Sequence, residues 1–356
     1  MSPLPRPKRP PTSGSHRSAG VTLVELMIAI TIGLLALGTM SALFAANSRT
    51  RAEVERAGQQ VENGRFALDL LRDDVRQAGF FGGFAGVAQL ASPCVPRTGV
   101  ALTALNLGWD PGSGATPPPV HGYPAGEIPA TDTCLSNAKA GSDVLIVRSV
   151  EPNAISVSTA AGASFANDWY LQTSMCANAA VDSATAPFVV APGGAGAATR
   201  FTLHEKDCIT PAPLWRLVVR AFYVGRCSVC SGSGDGIPTL RMVELSGSTA
   251  TSAAVVEGID AIRIDYAFDL AGTGRIDTLR RCRAAVDPCS AADWSRLAAV
   301  QVHLLARTVT PSPGQRDAKT FDMGLAGSAG PFNDAYRRRL YSAQVAVLNL
   351  TGPREP

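Results

Sequence analysis

The sequence holds little that could support catalysis. It has four histidines, and one of them, His16, lies in a short basic segment at the N-terminus. It has neither a Gly-x-Ser-x-Gly nucleophile elbow nor a glycine-rich phosphate-binding loop. A catalytic site needs such groups within reach of one another. We therefore predict that the protein is not an enzyme and that it has no cofactor, no resident metal and no small-molecule substrate.

The net positive charge of the sequence comes entirely from its N-terminal segment. The net charge of the whole chain is +3, but Arg6, Lys8, Arg9 and Arg17 all precede residue 21. Without these four residues the remaining chain has a net charge of −1. A nearly neutral domain gives no general electrostatic reason to bind nucleic acid. We therefore do not expect nucleic acid among the partners.

One apolar run, residues 21–46, is far longer than any other in the sequence. Its 26 residues contain no proline and a single charge, Glu25. Roughly 20 apolar residues cross the hydrocarbon core of a bilayer as a helix. No Ala-x-Ala cleavage site follows the run, so it does not resemble an ordinary secretory signal. Because basic residues flank its N-terminal side, we predict a single-pass inner-membrane helix with the C-terminal bulk in the periplasm.

The segment around Glu25 identifies a specific kind of signal. A carboxylate inside an apolar helix is costly unless a cation pairs with it. The string from Gly20 to Ile30, Gly-Val-Thr-Leu-Val-Glu-Leu-Met-Ile-Ala-Ile, resembles the class III signal of type IV pilins and type II secretion pseudopilins. That resemblance implies cleavage by prepilin peptidase between Gly20 and Val21 and methylation of the new N-terminus. It also implies that Glu25 pairs with the N-terminal ammonium of a neighbouring subunit. The alternative is an ordinary signal anchor with one tolerated acid.

The apolar pattern continues as an amphipathic helix over residues 47–79. Its apolar face is Val61, Gly64, Leu68, Leu71, Val75 and Ala78, and Gly79 is the expected C-cap. The segment 64–80, with Gly-Arg-Phe-Ala-Leu near its start and Arg-Gln-Ala-Gly-Phe at its end, resembles the PilW-type minor pilins. The physical alternative is simply an amphipathic helix that ends at a glycine, and both interpretations suit these residues.

Later segments alternate between strands and loops rich in small residues. We predict loops over 80–140 and, apart from Trp169-Tyr170-Leu171, over 160–199, and a sheet formed by strands in the other segments. One long helix followed by strands predicts an α+β, pilin-like fold with an antiparallel sheet and disulfide-bearing loops. The predicted strands are 143–148, 215–224, 239–245, 259–268, 299–307 and 341–350. The predicted regions are a cleaved leader 1–20, a transmembrane helix half 21–46, an amphipathic half 47–79 and an exported domain 80–356.

The sequence contains eight cysteines, all beyond the apolar run. An even number in an exported domain predicts disulfides. Eight cysteines allow 105 pairings, so the connectivity stays open at this stage. Joining neighbours in sequence gives Cys94–Cys134, Cys176–Cys208, Cys227–Cys230 and Cys282–Cys289.

Two cysteine-containing motifs have a chemical alternative. The segment His204-Glu205-Lys206-Asp207-Cys208 has the spacing of a zinc helix, but Cys208 would have to be a free thiolate. We predict a polar strand end beside a disulfide instead. Cys227-Ser228-Val229-Cys230 has redox or zinc spacing, but no second such pair follows it. A structural disulfide at a turn is the preferred interpretation.

Two charged motifs also have two interpretations. The segment 269–277 is similar to a calcium loop, but it offers only Asp269 and Asp277, so a hairpin turn is preferred. Arg337-Arg338-Arg339 could contact DNA phosphates or acidic partners. Such a run is more often the solvated edge of a sheet, which is the prediction made here.

The resemblance implies a role in a fibre. It predicts a minor pilin of the type IV pilus that helps to initiate assembly and lies in the fibre or at its tip. Its expected partners are prepilin peptidase, the other minor pilins, the major pilin and the inner-membrane assembly platform. Two alternatives stay open, a minor pseudopilin of type II secretion and a DNA- or surface-binding adhesin.

Overall fold

A single long helix, α1 (Leu23–Gln77), begins the described chain. The structure is a computed structural model and describes residues 20–84, 87–94, 103–104, 107–182, 187–247 and 249–351. The predicted leader lies outside the described residues except for Gly20. The chain divides into two units, residues 1–54 and 55–356. The predicted region boundaries remain predictions.

The end of α1 follows the predicted capping chemistry. Gly79 adopts a left-handed φ of +80°, which a side chain would strain. Its N–H donates to the Arg148 carbonyl at 2.9 Å. The Asn349 side chain donates to the carbonyls of Gln77 and Ala78 at 3.3 and 3.1 Å. The last turn of α1 is therefore fixed by two separate parts of the β-rich unit, which comprises the described residues that follow α1.

The rest of the described chain consists of strands, short helices and connecting segments. The short helices are α2 (Val157–Ala160), α3 (Ala197–Arg200), α4 (Ala291–Trp294) and α5 (Leu348–Thr351). The strands are β1 (Val87–Ala88), β2 (Ala115–Thr116), β3 (Val120–Tyr123), β4 (Val144–Val150), β5 (Trp169–Thr173), β6 (Phe188–Pro192), β7 (Leu214–Gly225), β8 (Thr239–Ser246), β9 (Thr249–Glu257), β10 (Ile259–Phe268), β11 (Thr278–Arg280), β12 (Leu297–Arg307), β13 (Phe321–Asp322), β14 (Ser328–Ala329) and β15 (Arg338–Ala346).

Two antiparallel sheets contain most of these strands. The larger has seven strands and is organised around β7, which pairs with β4, β5 and β8 along different parts of its length. The smaller has four strands in the order β11-β10-β12-β15. Two short pairs, β1–β2 and β13–β14, lie apart from them. The α+β fold with a long N-terminal helix and antiparallel pairing is therefore confirmed, with two larger sheets where one was expected.

One hydrophobic core joins the second half of α1 to both larger sheets. Ala67, Leu71, Val75 and Ala78 of the helix are fully buried in it. The smaller sheet contributes side chains such as Ile262 and Val302, and the larger sheet contributes side chains such as Leu145 and Phe222. The alternating apolar residues of β10 and β12 face this core, as period-two patterning predicts.

The buried face of α1 is close to the predicted one but includes polar residues. Gly64, Leu71, Val75 and Ala78 are buried as expected, whereas Val61 and Leu68 are only partly buried. Gln60 and Asp74 are buried instead. Gln60 donates to the carbonyls of Ala306 and Arg337 at 2.9 and 2.8 Å. Hydrogen bonding lets such a residue occupy a core position that apolar patterning does not anticipate.

Several strand predictions needed correction. The expected strand 341–350 is β15, Arg338–Ala346, after which the chain turns into α5. The expected loops contain β3 and β6, and β5 covers Trp169-Tyr170-Leu171, the segment set apart from the predicted loop. Strand β9 begins with a run of Thr, Ala and Ser and shows no clear apolar alternation. It forms because β8 supplies an antiparallel partner along its length, with one register shift after Leu240, and a sequence pattern does not show that pairing.

Candidate processing and assembly site

The predicted assembly acid, Glu25, lies in the first turn of α1. Its N–H donates to Thr22 Oγ1 at 3.2 Å. In return, Glu25 Oε2 accepts from the Thr22 N–H and from Thr22 Oγ1, each at 3.0 Å. This reciprocal pair is a capping box, which satisfies donors that the first helical turn leaves open. The negative carboxylate also lies at the positive end of the helix dipole, which stabilises the start of α1.

The predicted cleavage position, between Gly20 and Val21, immediately precedes this capping box. Both residues are exposed and lie outside regular secondary structure. No heavy atom lies within 4 Å of the position that a Cβ would occupy at Gly20. The described chain therefore places no steric demand for glycine there, and the peptide bond is open to solvent.

The first half of α1 presents apolar side chains all around its surface. Leu35 and Phe44 are 70% and 77% exposed. The Thr31 hydroxyl donates back to the carbonyls of Met27 and Ile28 at 3.0 and 2.8 Å, which satisfies its donor within the helix. Within the described residues α1 alone is long and apolar enough to cross a membrane. Its exposed apolar surface, together with locally satisfied polar groups, suits a lipid environment.

Comparison with protein families matches two parts of the sequence. Residues 15–41 match the prokaryotic N-terminal methylation motif, and residues 221–349 match the family described as type IV pilus-assembly protein W, or PilW. The chain therefore contains a prepilin-type methylation motif near its N-terminus and a PilW domain in its C-terminal part. The methylation motif implies processing by a prepilin peptidase, and the apolar helix behind it is consistent with membrane anchoring.

Comparison with solved structures also finds similarity. A type IV-like pilin from Thermus thermophilus matches with a TM-score of 0.36 and 14% sequence identity. The match covers 82% of this chain and 96% of the other. No curated protein matches the sequence.

The eight cysteines form four disulfides, two of them wholly within the PilW domain. The pairs are those that join neighbours in sequence: Cys94–Cys134, Cys176–Cys208, Cys227–Cys230 and Cys282–Cys289. The disulfide at Cys208 removes the thiolate that the zinc interpretation of 204–208 requires. His204 instead contacts Asp182 through Nδ1 at 2.8 Å.

The segment 269–277 uses its carboxylates to build a turn. Asp269 accepts from the N–H groups of Thr273 and Gly274 at 2.9 and 2.8 Å. Asp277 accepts from the Ala271 N–H at 2.8 Å. Backbone donors of the same loop thus occupy both acids, which agrees with the hairpin interpretation rather than the calcium interpretation.

The prediction that the arginine run is a solvated edge is wrong for Arg338. Its side chain is 2% exposed, and it donates to Asp260 at 2.7 Å and to both oxygens of Asp334 at 2.6 and 2.7 Å. Asp317 lies 3.3 Å away, and the guanidinium stacks on Phe332. Burial lowers the pKa of Arg338, but the bonds to Asp334 and Asp260 outweigh it and raise that pKa. Arg337 and Arg339, on either side, remain exposed.

A buried arginine, Arg148, was missed in the sequence. It is 2% exposed and donates to the carbonyls of Ala91 and Pro118 and to His121 Nδ1, at 2.7, 3.3 and 2.8 Å. Burial lowers its pKa to about 10. Because a guanidinium only donates, His121 Nδ1 must accept, which fixes the neutral imidazole with its proton on Nε2. Arg148 sits in an apolar strand, and no short-range pattern signals the three acceptors that meet it.

A second cluster missed in the sequence connects the two larger sheets. Asp143, just before β4, accepts from the Ile264 N–H at 2.8 Å and from Arg281 at 2.5 Å. Its other oxygen accepts from the Ala125 N–H at 2.9 Å, and Arg263 lies 3.5 Å away. Burial raises the pKa of Asp143 despite these partners. The cluster holds β4 against β10, so its role is structural.

Proposed function

We propose that the chain is a minor pilin of a type IV pilus, made as an inner-membrane precursor and incorporated in or at the tip of the fibre. The observation that carries the proposal is the juxtaposition of an accessible bond at Gly20–Val21, a capping-box acid at Glu25 and an exposed apolar helix, all within the methylation motif. Pilin-like proteins are structural rather than catalytic. In this proposal the chain is the substrate of the peptidase, because it contains the methylation motif.

The geometry supports a specific role for Glu25 in assembly. Both hydrogen bonds from Thr22 engage Oε2. The other carboxylate oxygen can therefore accept the ammonium that cleavage creates on Val21 of a neighbouring subunit. Such a pair in lipid would favour one register between adjacent helices, because any other register leaves both charges without a partner. Other minor pilins, the major pilin and the assembly platform are the partners that this role requires.

The proposed orientation follows from charge and cysteine chemistry. Basic residues before Gly20 keep that end in the cytoplasm. The β-rich unit then lies in the periplasm, where an oxidising environment suits four disulfides.

Two substitutions test the roles of Gly20 and Glu25 separately. Gly20→Ala should leave the leader attached, visible as an unshortened band on a gel, although the chain itself has room for a Cβ. Glu25→Ala should be shortened like the wild type but depleted at least tenfold from sheared pili. Glu62→Ala, which removes an exposed acid from the second half of α1, is the matched control and should be incorporated normally. Normal incorporation of Glu25→Ala would contradict the assembly role.

The two alternatives differ in what loss of the protein would do. Deletion that stops secretion of exported enzymes but leaves pili intact would favour the pseudopilin over the pilin. The adhesin based on the arginine run loses support because Arg338 is buried among carboxylates. Lack of salt-sensitive DNA binding by the purified chain would exclude a DNA-binding adhesin altogether.

A further inference from the structure

The disulfide Cys227–Cys230 differs from the other three in the length of chain that it closes. Its cysteines are 3 residues apart, whereas the others are 7, 32 and 40 apart. The entropy that a disulfide removes from the unfolded chain grows with the logarithm of loop length. Cys227–Cys230 therefore contributes least to holding the fold, and breaking it releases the least chain.

Other groups hold the same loop in place without the disulfide. The Asp235 carboxylate accepts from the N–H groups of Ser228 and Val229 at 3.0 and 2.7 Å. Arg241 on β8 donates to the carbonyls of Cys227 and Ser228 at 3.3 and 3.0 Å. These bonds do not involve sulfur, so the loop can keep its shape when the two thiols are reduced.

The guanidinium of Arg241 also contacts one of the two sulfurs. Its Nη1 lies 3.8 Å from Cys230 Sγ, within range of an N–H···S hydrogen bond. A fixed cation stabilises a thiolate relative to a thiol, and stabilising the thiolate favours the reduced pair over the disulfide. Gly225 leaves room for the arginine side chain, because a Cβ there would lie 2.4 Å from Arg241 Cδ.

One of the two cysteines is accessible to reagents. Cys227 is 3% exposed, whereas Cys230 is partly exposed, and Val229 between them is 63% exposed. An incoming thiolate therefore meets Cys230 first. The apolar Val229 gives a docking reagent a surface beside the sulfur.

We propose that Cys227–Cys230 is a thiol–disulfide exchange site of the PilW domain whose substrate is a dithiol. A thiolate of the dithiol attacks Cys230 Sγ, forms a mixed disulfide and releases Cys227 as a thiolate that takes up a proton. The second thiol of the reagent, after losing its proton, attacks its own sulfur in that mixed disulfide and releases Cys230 as a thiolate beside Arg241. The reagent leaves as its cyclic disulfide, and the protein has gained two electrons.

Redox titration of the full chain in detergent tests the proposal. The protein is equilibrated with increasing ratios of reduced to oxidised dithiothreitol, quenched with acid, alkylated and analysed by peptide mass spectrometry. Cys227 and Cys230 should become alkylated at a ratio about tenfold lower than the other six cysteines require. Cys282–Cys289, also a short loop but without an arginine contact to sulfur among the described residues, is the internal control. Reduction of that pair first, or of all four pairs together, would overturn the proposal.

Two variants separate the charge of Arg241 from the length of the loop. Arg241→Gln should raise the ratio needed for half-reduction several-fold, since it removes the cation and keeps an amide donor. Arg226→Gln removes a nearby exposed guanidinium that bonds Asn137 instead, and it should change nothing. An equal shift in both variants would contradict a specific role for Arg241.

A direct measurement of the thiol covers the case in which Arg241→Gln fails to fold. In Cys227→Ser, the rate of Cys230 alkylation by iodoacetamide is followed against pH. Its midpoint should fall below the value of about 8.5 for an ordinary cysteine. A midpoint at or above that value would refute stabilisation of the thiolate by Arg241.

Discussion

Similar side chains differ in exposure and in hydrogen-bond partners between the two halves of α1. In the first half Leu35 is 70% exposed, whereas in the second half Leu71 is fully buried. Glu25 is exposed and bonds within its own helical turn, whereas Asp74 is buried and accepts from Arg220 on β7 at 2.9 Å. Burial raises the pKa of Asp74 although Arg220 opposes that effect. One helix therefore contains a segment satisfied by itself and a segment satisfied by the sheets.

This difference indicates what each half contributes. The capping box and back-bonded threonines satisfy polar groups of the first half within the helix itself, without any partner from a sheet. The second half relies on partners such as Arg220, Ala306 and Arg148, which the β-rich unit provides. Substitutions in the second half should therefore change the stability of that unit, and matched substitutions in the first half should not.

The largest effect is expected from truncating a buried leucine. Leu71→Ala should lower the free energy of unfolding by about 2–5 kcal/mol, because it leaves a cavity in the core shared by both sheets. Leu35→Ala removes the same atoms from an exposed position and should leave it unchanged. All four tryptophans lie between residues 109 and 294, so their fluorescence during denaturation of the full chain in detergent reports on the β-rich unit alone. An equal loss of unfolding free energy in Leu71→Ala and Leu35→Ala would contradict the difference between the two halves of α1.

The features of the fold that were predictable from the sequence have local signals, and the features that were missed depend on distant residues. The long apolar run and the glycine at residue 79 are local signals, so both α1 and its end were predictable from the sequence. The alternation in β10 and β12 is also local. The surroundings of Arg338 and Arg148 depend on residues from 4 to 78 positions away, and a strand such as β9 depends on its partner. For Glu25, the sequence predicted the position of the acid, but not its capping box with Thr22.

Two glycines of the second half should respond with opposite signs. A Cβ at Gly64 would lie 2.3–2.8 Å from ring atoms of Tyr341, so Gly64→Ala must displace that ring from β15. We expect a loss of about 1–2 kcal/mol, since overpacking typically costs more than the gain in helix propensity. Gly58→Ala meets no atom within 4 Å and should gain about 0.5–1 kcal/mol. The same denaturation measurement distinguishes them, and stabilisation by Gly64→Ala would show that the ring contact does not restrict the helix.

The smallest effect concerns a titrating group near the end of the second half. Gly79, just after α1, donates to the carbonyl of Arg148, whose guanidinium donates to His121. Burial and, after it, the charge of Arg148 hold the pKa of His121 well below its usual 6.5. The folded protein therefore excludes a proton that the unfolded chain binds as the pH falls below 6.5. The stability contributed by neutral His121 is fully present above that pH and is lost progressively below it.

Between pH 6.5 and 5.5 this linkage should lower the free energy of unfolding by about 1 kcal/mol. His121→Asn keeps an acceptor for Arg148 but cannot take up the proton, so its pH profile should be flatter than the wild-type profile by that amount. Every other titrating group is common to both proteins, which means that the difference between the two profiles isolates His121. Parallel profiles would show that the imidazole is protonated in the folded state as readily as in the unfolded chain, contrary to its contact with a guanidinium. Any residual slope in His121→Asn must then arise in other titrating groups that folding buries, such as Asp74 and Asp143.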